Sequence, residues 1–87
     1  MDKLRAQIDI IDQSMQNLFL ERMQIVKGVA LHKKENDITV FDKAREKEII
    51  KKNVDKINNL ELSNLYEEFY KKVIEISKKY QEGIINE

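Results

Sequence analysis

Two cations, Arg22 and Lys33, stand where an amphipathic helix would place apolar side chains. Arg22 falls between Leu18 and Ile25 in a run of regularly spaced apolar residues, and Lys33 follows eleven residues later. At 100° per residue that is three turns plus about 20°, so the two share a face about 16 Å apart along the axis. A guanidinium stays charged in a protein and needs an anionic partner when it is turned inward. The ordinary partner is an Asp or Glu of a neighbouring helix, or water reached by snorkelling; the other possibility is a bound anion.

Three further groupings have the right types for polar recognition. Ser77 and Gln81 form an i, i+4 pair on one flank of a helix, and neutral donors aimed inward bind a polar ligand without the desolvation cost of a charge. A solvated helix flank is the more ordinary account of such a pair taken alone. "VFDKAREKEII" (40–50) sets Asp42, Arg45 and Glu46 at one helix mouth: Asp42 is a good N-cap, but the capping-box position three residues on holds Arg45, and Glu46 comes one place late. Arg5 precedes Arg22 by about 25 Å of helix and is rotated roughly 100° from it, so both reach one small ligand only if a second chain supplies one of them. His32, in "LHKKEN", reads as a solvated side chain, and the Lys pairs at 33–34, 51–52, 71–72 and 78–79 read mostly as outer faces over Tyr66, Tyr70 and Tyr80.

The composition removes several other chemistries. There is no Cys and only one His, which excludes disulfides, a thiolate nucleophile and a Cys- or His-rich metal site. Sixteen basic and sixteen acidic side chains cancel, so no global field draws the chain to nucleic acid or an anionic membrane. The opening "MDKLRAQIDI" is amphipathic rather than a leader's apolar segment, and no apolar run approaches the roughly 18 residues of a membrane span. A cytoplasmic protein without metal or cofactor is expected.

The elements that must position these residues are all helical. The chain has no Pro, two Gly, and a large share of Lys, Glu, Ile and Leu. A single domain spanning 1–87 is expected, with helices at about 2–34, 42–57 and 62–82. The first would carry Leu4, Ile8, Ile11, Met15, Leu18, Ile25 and Val29 inward, the second Ile49, Ile50, Val54 and Ile57, and the third Leu65, Phe69, Val73, Ile76 and Tyr80 up to an αL cap at Gly83. A first helix of roughly 50 Å is too long for a globule whose expected radius of gyration is about 12 Å. Its own chain cannot cover it, and an intertwined homodimer follows as the expected state.

Taken together the sequence resembles the all-helical, type II chorismate mutases of bacterial shikimate metabolism. "LRAQIDIID", "ERMQIVKGVALHK", "VFDKAREKEI" and "ISKKYQ" follow that family's motifs in order and spacing across nearly the whole chain. Thr39 departs from the Pro often found before the Val, which affects only turn rigidity. The resemblance implies an intertwined three-helix dimer whose site takes Arg5 from one protomer and Arg22, Lys33, Asp42, Arg45, Glu46, Ser77 and Gln81 from the other. It also implies the rearrangement of chorismate to prephenate, on the way to phenylalanine and tyrosine, with no cofactor. Arg5 and Arg22 would hold the two carboxylates, Lys33 and Gln81 the ether oxygen, and Ser77 would orient a carboxylate. Glu46 and the backbone at Asp42 would meet the ring hydroxyl, with Arg45 offsetting their charge. An isochorismate pyruvate-lyase on the same scaffold and a non-catalytic helical dimerisation module are the alternatives.

Overall fold

Apart from the start of the first helix, which has no side-chain cap, each helix begins and ends where nearby groups take up the backbone N–H and C=O groups that a helix leaves unpaired. The computed structural model describes residues 1–87 and consists of α1 (Asp2–Glu35), α2 (Lys43–Val54) and α3 (Leu60–Ile85). α1 opens on Asp2 and closes on Lys33 and Lys34, charges that complement the helix dipole at both ends. Its exit is sharp: Asn36 Nδ2 donates to His32 O, Asp37 adopts a left-handed φ of 54°, and Ile38 N donates back to Lys33 O at 2.8 Å. This is the six-to-one bond of a Schellman cap, with Asp in the place usually held by Gly. Asp42 caps α2 by accepting from Arg45 N at 3.0 Å, and Asn59 caps α3 by accepting from Glu61 N and Leu62 N.

Two expected boundaries differ. α2 stops at Val54 rather than near Ile57, because Asp55 closes it through an ion pair with Lys51 and the chain must then extend so that Asn59 can cap the next helix. That carboxylate, by accepting a hydrogen bond and by its charge, holds the exposed Lys51 ammonium above its ordinary pKa. α3 does not end at Gly83. No glycine has a positive φ, the helix continues through Gly83 to Ile85, and Asn86 is its C-cap. Lys34 replaces the missing glycine cap by donating to Ile84 O and Glu87 O, both at 3.4 Å.

The three helices lie side by side in one layer with α3 in the middle, packed against α1 on one side and α2 on the other, while α1 and α2 do not meet. Contacts from Arg22 to Ser77 and from Lys34 to Ile84 run in the same sense along both helices, so α1 and α3 are parallel. Those from Glu46 to Lys78 and from Asn53 to Tyr70 run in opposite senses, so α2 is antiparallel to α3. The layer measures 50 × 26 × 14 Å, with a radius of gyration of 15.8 Å against about 12 Å for a compact chain of this length.

A single layer leaves one face of every helix uncovered, and here the uncovered faces are apolar. Leu4, Ile8, Ile11, Met15, Leu18, Ile25 and Val29 are all exposed, as are Leu65, Phe69, Ile76 and Tyr80. α1 instead turns Arg22, Val26, Ala30 and Lys33 toward its own chain, a stripe one residue out of step with Ile25 and Val29. The chain therefore buries Ser77 and Gln81 while exposing its leucines. Its accessible surface, 7372 Å², exceeds by about 2,000 Å² the roughly 5,400 Å² expected of a folded monomer of 10.4 kDa.

Candidate active site

The polar stripe of α1 and that of α3 have the same spacing. Arg22, Val26, Ala30 and Lys33 recur at steps of four, four and three, as do Val73, Ser77, Gln81 and Ile84, and the two rows line the seam where the parallel helices touch. Ala30, completely buried, has no side chain beyond Cβ to hold the helices apart. Toward the start of α1 a cleft of about 920 Å³ lies between the helices, lined by Met15, Leu18, Phe19, Tyr66 and Phe69 and ending at Arg22 and Ser77.

Arg22 Nη1 donates to Ser77 Oγ, and the same hydroxyl donates to Val73 O at 2.9 Å. This two-step anchor fixes one edge of the guanidinium to α3. Its remaining N–H donors have no protein acceptor, and neither Arg22 nor Lys33 has a carboxylate within ion-pair distance in the chain. The ordinary explanation of these cations, an acidic neighbour on another helix, does not hold within the protomer. Lys33, half-buried, donates to Val40 O at 3.2 Å and so ties the end of α1 to the segment that leads into α2.

Gln81 sits in the α1–α3 seam rather than on a solvated flank, and its Oε1 is buried without a hydrogen-bond partner. Such an atom costs about 1–3 kcal/mol, so an amide here is retained against the interest of the fold.

At the mouth of α2 the three charged residues separate. Asp42 spends one carboxylate oxygen on the cap, Arg45 points outward to Glu48 at 3.3 Å, and Glu46 turns toward α3 to meet Lys78 at 2.8 Å. The expected offset of Glu46 by Arg45 is thus corrected: consecutive helical positions diverge by about 100°, and the compensating cation is Lys78. The Lys78 ammonium also lies 5.0 Å from the centre of the Phe41 ring. The outer-face reading of 78–79 does not hold for Lys78, which is half-buried beside Ser77, on the side of α3 that meets α2.

Arg22, Lys33, Ser77 and Gln81 thus line the α1–α3 seam, and the α2 mouth joins them through Val40, Phe41 and Lys78. Asp42 and Arg45 are exposed beside it, and Arg5 is exposed far along α1 and outside the cluster. Residues 4–82 match the family described as chorismate mutase type II. The chain belongs to that family. The match starts one residue before Arg5 and ends one residue after Gln81, so all eight candidate residues fall inside it. None of the curated proteins or solved structures compared with the chain is a significant match.

Proposed function

We propose that the protein is a chorismate mutase, an isomerase that converts chorismate to prephenate in a homodimer with two sites, each built from both chains. The observation that carries the reading is Arg22: a half-buried guanidinium, anchored by Ser77 and with no carboxylate of its own chain within ion-pair distance, with the buried, unpaired Oε1 of Gln81 one turn further along α3.

The rearrangement breaks the ether C–O bond and forms a C–C bond in one pericyclic step, with no proton or electron transferred. Its barrier lies in reaching a compact chair-like geometry and in the charge that grows on the ether oxygen. Arg22 would take one carboxylate in its free donors, with Ser77 fixing the angle of the fork, and the partner's Arg5 would take the other. Lys33 and Gln81 would donate to the ether oxygen, and both bonds would strengthen as the C–O bond lengthens. Glu46 would accept from the ring hydroxyl beside the capped backbone of Asp42, and Arg45 would stand at the rim. No step calls for a metal or a cofactor.

A second copy is supported by the single-layer shape and by the apolar faces that lie uncovered. An excess of about 2,000 Å² on each protomer would give an interface in the range of obligate dimers, 2,000–5,000 Å² in total. Arg5, about 25 Å of helix from Arg22, reaches a shared ligand only from that second copy.

The test is incubation of purified protein with chorismate, and separately with isochorismate, in metal-free buffer, followed by product analysis. Prephenate from chorismate supports the proposal. Pyruvate from isochorismate with no prephenate would replace it with a lyase, and no product from a folded dimer would leave a helical dimerisation module.

A further inference from the structure

Of five ion pairs in the protomer, four join residues three or four apart on the exposed face of one helix. The fifth, Lys78 to Glu46, crosses from α3 to α2. It is also the most sheltered, its side chains only 32% and 21% exposed. Lys78 neighbours Ser77 in sequence and sits one helical turn before Gln81. The Phe41 ring beneath its ammonium, with the centroid 5.0 Å away, limits where the long side chain can go.

We infer that Lys78 is a positioning residue for the site: it holds the Glu46 carboxylate in one orientation and cancels its charge, so that a dicarboxylate ligand can settle beside an acid. The inference rests on the proposed function for the identity of the ligand, but the ion pair itself does not depend on it. Two anionic groups of a substrate approaching a bare Glu46 would meet like charge, whereas an acid already paired to an ammonium stays an acceptor without repelling them. Arg45 cannot supply this, because it is turned away to Glu48. Phe41 and Val40 belong to the same short segment that Lys33 grips, so the cation that would serve the ether oxygen and the pair that orients Glu46 share one support.

The experiment compares Lys78→Met and Lys78→Arg, alone and combined with Glu46→Gln, by steady-state kinetics on chorismate and by calorimetric binding of a bicyclic dicarboxylate that mimics the chair-like transition state. Lys78→Met should raise KM and weaken the mimic roughly five- to tenfold with a smaller change in kcat, the loss expected of a partly sheltered ion pair beside an anionic ligand. Lys78→Arg should recover most of it. In the Glu46→Gln background the effect of Lys78→Met should shrink to less than about twofold, because the pair has one purpose. An equal loss in both backgrounds, or no loss in either, overturns the inference. A wild-type protein that turns over chorismate while the variants break this pattern removes Lys78 alone; a wild-type protein that neither turns over chorismate nor binds the mimic removes the proposed function and this inference with it.

Discussion

Replacing Gln81 by Met should make the protein more stable and much less active. The Oε1 of Gln81 is buried and without a partner, an arrangement that costs about 1–3 kcal/mol relative to an apolar atom in the same place. Met is unbranched, has nearly the same length and volume, and adapts its three torsions to the space, so the substitution leaves neither a cavity nor a clash. A net gain of about 1 kcal/mol per chain is expected, which for 87 residues is a rise in Tm of roughly 4–8 °C at fixed protein concentration. The same change would remove the donor proposed for the breaking ether bond, and loss of one such group costs about 10²–10³ in kcat. Thermal unfolding and initial-rate measurements on one preparation check both halves. A variant that is less stable and retains its rate would refute the reasoning, because it would make Gln81 an ordinary member of the fold.

Other perturbations separate further parts of the account. Lys33→Ala should lower kcat by at least about 10²–10³ with the helical circular dichroism unchanged, since the proposed role uses the charge chiefly in the transition state; turnover within a few-fold of wild type would remove Lys33 from the site. Because Gln81 carries no titrating proton, the rate should stay level between about pH 6 and pH 9, and a steep rise toward acid would contradict its role as a neutral donor. Asp37→Gly should raise stability by about 0.5–1 kcal/mol, since a φ of 54° strains Asp and suits Gly; a lower denaturation midpoint would mean that the Asp37 carboxylate has an unseen partner.

How far the sequence could be read depended on which forces set each feature. The three helices were legible because propensity and caps are local: Asp42 and Asn59 act as N-caps on residues within three places of themselves. The length of α1 was legible too, since 1.5 Å per residue needs no tertiary information. What the apolar stripes face was not. Leu4, Ile8 and Ile11 are regular enough to predict a buried seam, yet within one chain they are exposed, because no other helix of the chain crosses that face. Ser77 and Gln81 look like an ordinary polar flank because burial depends on how α1 crosses α3, which a single helix period does not reveal. Gly83 illustrates the converse error: a glycine near a helix end suggests a cap, but Lys34, fifty residues earlier and on another helix, takes up the carbonyl of Ile84 and lets α3 run on. Lys78 was missed for the same reason, its partner Glu46 lying on a different element.

The central claim is a catalytic site for chorismate built from two chains, and its most direct test mixes two crippled proteins. Arg5→Ala and Arg22→Ala dimers, each inactive alone, should be unfolded, combined in equal amounts and refolded. Random pairing makes half the dimers mixed, each with one intact site of two, so formation of prephenate should return to about a quarter of the wild-type rate. Recovery at that level would place Arg5 and Arg22 on opposite chains of one site. No recovery from a mixture shown to contain heterodimers, or full activity in either variant alone, would contradict the account.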